Sequence, residues 1–142
     1  MIEKIIIKRQ TYESMIQLAK KCQPKIICGF IIGRIEDNRI FIDDFYVLPT
    51  ISGPKIHFKP NWKAYREGQQ YIKENLKKEI VGEFHTHPDG VEELSVNDRK
   101  ILNRLGKGFW VIVTTQKVVP WYFEVIIDEF KSVIEKLRLE IQ

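Results

Sequence analysis

Gly82-Glu83-Phe84-His85-Thr86-His87-Pro88 carries two histidines one residue apart, and Ser95 and Asp98 follow after a short loop. On a strand, the period of two points both imidazoles to the same face. Pro88 has no backbone N–H and ends that strand. Asp89-Gly90 reads as a turn. Ser95-Val96-Asn97-Asp98 then opens a helical pattern, with Asp98 in its first turn. Two neutral imidazoles and one carboxylate make a three-ligand zinc set that leaves a fourth place for water. An open place marks a catalytic zinc site rather than a purely structural one. Ser95 and Asp98 also fit a capping box, in which the serine side chain satisfies an orphan N–H; that role does not exclude ligation. A third histidine, His57, stands alone beside Phe58 and reads as an edge or core imidazole.

The run His85-Thr86-His87-Pro88, a short loop, then Ser95-Val96-Asn97-Asp98 closely resembles the signature of the JAMM (JAB1/MPN/Mov34) metalloprotease family, in its bacterial and archaeal JAB-domain form. The resemblance implies Zn2+ held by His85, His87 and Asp98. It implies a peptidase or isopeptidase acting on a ubiquitin-like protein or its conjugates. It also gives Ser95 a second task, stabilising the oxyanion of a tetrahedral intermediate. Some members of the family lack the ligands and serve as scaffolds. Active members open the preceding apolar strand with Pro-x-Glu-x-[Cys/Gly]-Gly, and the glutamate acts as general base. Aligning Pro24 and Cys28-Gly29 to that pattern puts Ile26 at the glutamate position, and isoleucine cannot accept a proton. A positioned base contributes about 10²–10⁴ in rate. Glu83, on the same face as His85 if the strand is regular, is the acid nearest the ligands and the substitute candidate; its plainer reading is an outer residue that orients an imidazole. The expectation is therefore a zinc hydrolase, or a metal-bearing module that binds a ubiquitin-like partner without cutting it.

The elements that must hold this site read as one α/β domain over residues 1–142. The resemblance implies a JAB/MPN-like, cytidine-deaminase-like sandwich with a mixed, twisted sheet flanked by helices. Ile5 to Lys8 reads as a strand. A helix follows, with Thr11 as its candidate cap and Ser14 as a weaker alternative, and with Met15, Leu18, Ala19 and Cys22 on one stripe. Ile26 to Ile32 is an apolar run fit for a strand buried on both faces, and Gly29 inside it signals close backbone approach. Asp37-Asn38 turns the chain into a partner strand, Ile40 to Leu48. Pro49 to Pro54 reads as a loop and Ile56-His57-Phe58 as a short strand. Pro60 then opens an amphipathic helix with Trp62, Tyr65, Gln69, Ile72 and Leu76 along it. Glu79 to His87 is the histidine strand. The Ser95 helix runs through Ile101, Leu102 and Leu105 and stops near Gly106 or Gly108. Phe109 to Val113 and Val118 to Ile127 are strands, and Phe130 to Leu139 has the spacing of a terminal helix.

Composition bounds the function classes. A hydrophobic content of 44% and a charged content of 30% are those of an ordinary globular chain. Two cysteines, Cys22 and Cys28, are too few for a disulfide framework and read as small buried apolar residues. The formal charge of +4 is spread along the chain and does not form the basic block of a nucleic-acid binder. No apolar segment has bilayer length, and the first residues lack a signal pattern, which points to the cytoplasm.

Overall fold

The computed structural model describes residues 2–49, 61–96, 98–100, 107–126 and 131–142. Among the described residues, two helices and eight strands run in the order β1 Lys4–Ile7, α1 Arg9–Cys22, β2 Cys28–Glu36, β3 Arg39–Val47, α2 Trp62–Gln70, β4 Glu79–Thr86, β5 Lys107–Val113, β6 Val118–Ile126, β7 Lys131–Lys136 and β8 Arg138–Ile141. A π-helical turn, Tyr71–Asn75, continues α2, and residues 96 and 98–100 are helical. The expected strand with His57, the helix-opening Pro60, and the helical stripe Ile101, Leu102 and Leu105 lie outside the described residues.

All eight strands form one mixed sheet, ordered β7-β6-β5-β4-β2-β3-β1-β8. The pairs β1–β3, β1–β8 and β4–β5 are parallel and the rest antiparallel. The two outermost strands, β7 and β8, are consecutive in the chain with only Leu137 between them. A flat sheet could not bring its two edges that close, so this one curls like a barrel. The concave side packs Ile5, Ile7, Ile31, Ile40, Ile42, Phe84 and Val111 against Met15 and Ala19 of α1. On the outer side Phe30, Ile32, Leu48 and Ile72 pack under α2 and its π-helical turn, and Trp110, Ile112, Trp121 and Phe123 pack with Leu94.

Several expectations need correction. The terminal helix is absent: β7 and β8 occupy that stretch. Its spacing of three and four was genuine, but two open sheet edges were available, and β6 and β1 took up its backbone groups. Thr11 does not cap α1. The helix starts at Arg9, whose N–H donates to the Gln142 carbonyl at 2.6 Å, and the buried Thr11 hydroxyl donates to the Asp43 carbonyl at 2.8 Å. A neighbouring strand end therefore does the capping that a side chain would otherwise do. On α2 the N-cap is Asn61, whose side chain accepts from Ala64 N–H. Trp62 and Leu76, expected on the apolar stripe, are 62% and 39% exposed. Gly108 does not end a helix; it lies in β5. Gly29 meets its expectation. A Cβ there would stand 1.9 Å from the Tyr46 carbonyl oxygen and 2.7 Å from Phe84.

Candidate metal centre

β4 lies between β2 and β5, so His85 arrives on the sheet's outer face already fixed by two ladders. An extra residue in β4, Val81, bulges the ladder with β2 and leaves Glu83 and His85 on the face of Cys28 and Phe30. The His85 ring meets the edge of Trp110 with centroids 5.3 Å apart, and only 5% of the residue is exposed. Thr86, between the histidines, points the other way. Its buried hydroxyl accepts from Ile27 N–H at 2.9 Å, and its N–H donates to the Ile27 carbonyl at 2.8 Å. His87 leaves the ladder but keeps one bond, N–H to the Val113 carbonyl at 2.9 Å. Gly90 N–H closes the following turn on the His87 carbonyl at 3.0 Å.

The returning loop is anchored by buried Leu94 and by Trp121, whose indole N–H donates to the Glu92 carbonyl at 3.0 Å. Ser95 and Asp98 then make a reciprocal pair. Asp98 N–H donates to Ser95 Oγ at 3.0 Å, and Ser95 N–H donates to Asp98 Oδ2 at 2.9 Å. The short helical spacing thus turns one Asp98 oxygen toward the histidines.

Among the described residues His85, His87 and Asp98 form a group able to hold a metal ion. His85 Nε2 lies 3.0 Å from His87 Nε2 and 3.2 Å from Asp98 Oδ2; His87 Nε2 lies 3.6 Å from the same oxygen. With zinc–nitrogen and zinc–oxygen bonds near 2.0–2.1 Å, a tetrahedral site has edges of about 3.3 Å. The three edges bracket that value. The donor chemistry agrees. His87 Nδ1 is 2.8 Å from the Val91 carbonyl, which can only accept, so a neutral His87 carries its proton there and leaves Nε2 bare. A bare imidazole nitrogen and a carboxylate converging on one buried point are able to hold a cation.

The charges follow. Burial alone would raise the Asp98 pKa, but bonds from His85 and His87, and from Ser95 N–H, outweigh it and hold the carboxyl well below its usual range. Burial alone would lower the His87 pKa; the Asp98 carboxylate and the Val91 carbonyl outweigh that and raise it.

The remaining candidates are placed as follows. Glu83 is half-buried on the His85 face, and its Oε1 accepts from the Tyr65 hydroxyl of α2. Burial raises the Glu83 pKa, opposed by Tyr65 and His85. Cys28 stands opposite His85 in the ladder. Burial, with Glu83 nearby, pushes its thiol up to about 11, so it is inert. Ile26 precedes Ile27, whose N–H and carbonyl both bond Thr86, the residue between the two histidines. Sequence reasoning did not anticipate Tyr65 or Thr86. A hydroxyl on an inward-facing strand position hinted at Thr86; a tyrosine on an amphipathic helix gives no sign of what its hydroxyl meets.

A family described as prokaryotic homologs of the JAB domain matches residues 8–124. Curated proteins give no match. Among solved structures, the solution structure of protein DSY2949 from Desulfitobacterium hafniense superposes with a TM-score of 0.75 at 20% identity, over 97% of this chain and 92% of the other. At that identity the likeness speaks for the fold. No helix among the described residues is long and apolar enough to cross a membrane.

Proposed function

The chain belongs to the prokaryotic homologues of the JAB domain, and from that premise we propose that it is a zinc-dependent hydrolase of the JAMM type, acting on a peptide or isopeptide bond at the tail of a ubiquitin-like protein. The observation that carries this reading is the buried triangle of His85, His87 and Asp98 donors, with edges of zinc size. A zinc ion held there supplies Lewis-acid chemistry toward a carbonyl. The chain's own groups do the rest. Val91 keeps the His87 proton on Nδ1. Ser95 Oγ accepts from Asp98 N–H, and its own O–H is left to donate to a developing oxyanion. Glu83 offers a carboxylate on the His85 face with one oxygen engaged by Tyr65. The same reading takes residues 1–142 as one JAB/MPN-like domain of the cytidine-deaminase-like kind, working in the cytoplasm.

One observation favours a second reading, a metal-bearing module that binds a ubiquitin-like partner without cutting it. Aligning Pro24 and Cys28-Gly29 to the family's pattern leaves the apolar Ile26 at the position of its glutamate. Zinc-loaded protein and a cleavable ubiquitin-like fusion separate the two. We expect slow turnover by the unmodified protein and a gain of about 10²-fold or more in Ile26→Glu, the worth of a positioned base. Fast turnover that Glu83→Ala abolishes, with zinc retained, would make Glu83 the base. No cleavage by any of the three, with the fusion still bound, would install the binding module instead.

A further inference from the structure

His87 presents a bare Nε2 because its Nδ1–H donates to the Val91 carbonyl at 2.8 Å. Something must hold that carbonyl in place. Packing does not: Val91 is 47% exposed. The turn is held by hydrogen bonds instead. Asp89 Oδ1 accepts from Val91 N–H at 3.1 Å, and Gly90 N–H donates to the His87 carbonyl at 3.0 Å. Gly90 takes φ +81°, a conformation other residues adopt at a cost. The next carbonyl, of Glu92, is fixed by the Trp121 indole. The nearby acids Glu92 and Glu93 pair with Lys117 and Lys136.

We propose that Asp89 is a positioning residue of the metal centre: by accepting from Val91 N–H it sets the Val91 carbonyl, which fixes the tautomer and ring orientation of His87. The inference rests on the metal reading above. Partners one step removed from a ligating histidine govern metal affinity by about 10–100-fold when lost. Here the partner acts through one backbone residue, so the short loop is part of the site and not merely a link between His87 and Asp98. The acceptor oxygen carries the effect through geometry; the charge of the exposed Asp89 also reaches His87, as the smallest of the influences on it.

The test compares the unmodified chain, Asp89→Ala and Asp89→Asn, with Zn2+ alone as probe, by competition against a chromophoric chelator. Asp89→Ala is expected to weaken zinc binding about tenfold. Asp89→Asn keeps the acceptor oxygen and should bind close to the unmodified protein. A second readout needs no metal. Long-range 1H–15N spectra of the histidine rings, taken above their titration range, should show His87 as the Nδ1–H tautomer in the unmodified and Asn proteins and a mixture in the Ala protein. Equal affinity and equal tautomer in Asp89→Ala would overturn the proposal. So would equal weakening in both variants, which would assign the effect to charge. If the unmodified protein takes up no zinc, the metal reading fails, and the ring spectra still decide whether Asp89 governs His87.

Discussion

At His87 a proton and the proposed metal would compete. Its pKa is raised from the ordinary 6.5 because the Asp98 carboxylate and the Val91 carbonyl outweigh its burial. An imidazolium cannot ligate, so zinc must displace a proton whenever the pH is below that raised value. Zinc affinity measured on descending pH should therefore begin to fall above 6.5, not below it; an affinity flat to well under 6.5 would contradict this assignment. Tyr65 makes a separate residue-scale case. Its hydroxyl satisfies the half-buried Glu83 carboxylate, and removing a partner from such a group costs about 1–3 kcal/mol. Tyr65→Phe keeps the ring contacts with Phe30 and Trp62 and should lower urea stability by that amount at neutral pH. No measurable loss would mean that water serves Glu83 equally well. The gathering of His85, His87 and Asp98 was legible in the sequence because period two, proline, turn and capping box are local rules. Asp89 read only as a turn residue, because its effect passes through a backbone carbonyl.

Elements packed around a shared outer face obey less local rules. Gly29 was legible, since a glycine inside an apolar strand means something comes close, and Tyr46 does. Gly29→Ala would push the β2 and β3 backbones apart at 1.9 Å contact. We expect a loss of roughly 4 kcal/mol or more, enough to prevent soluble expression or to shift the denaturation midpoint far down. A near-normal midpoint would show that the ladder can yield there. The C-terminal stretch was not legible. Leu137, Leu139 and Ile141 pack on the concave core, and the choice between helix and strand was made by partners distant in sequence. β8 pairs along β1 from Lys4–Arg138 to Ile7–Ile141. Ending the chain before Arg138 leaves β1, with its buried Ile5 and Ile7, as a bare edge. The thermal midpoint should fall by several degrees and self-association should rise. An unchanged midpoint would mean that β8 adds nothing to the fold.

For the molecule as a whole, the curled sheet is the frame, and the group His85, His87 and Asp98 that could hold a metal lies on its outside. His85 sits on a central strand, and Asp98 belongs to a helical start reached through the 87–95 loop. An ion bridging them ties that loop down only in the folded chain, so binding is folding free energy. At a hundredfold excess over the dissociation constant the gain is about 2.7 kcal/mol. The most direct measurement is the zinc content per chain, by elemental analysis of protein purified without chelator, alongside its His87→Ala variant. One zinc per chain, lost in the variant and accompanied by a higher thermal midpoint in the loaded protein, is the predicted result. A metal-free chain whose midpoint stays fixed when zinc is added would contradict the account.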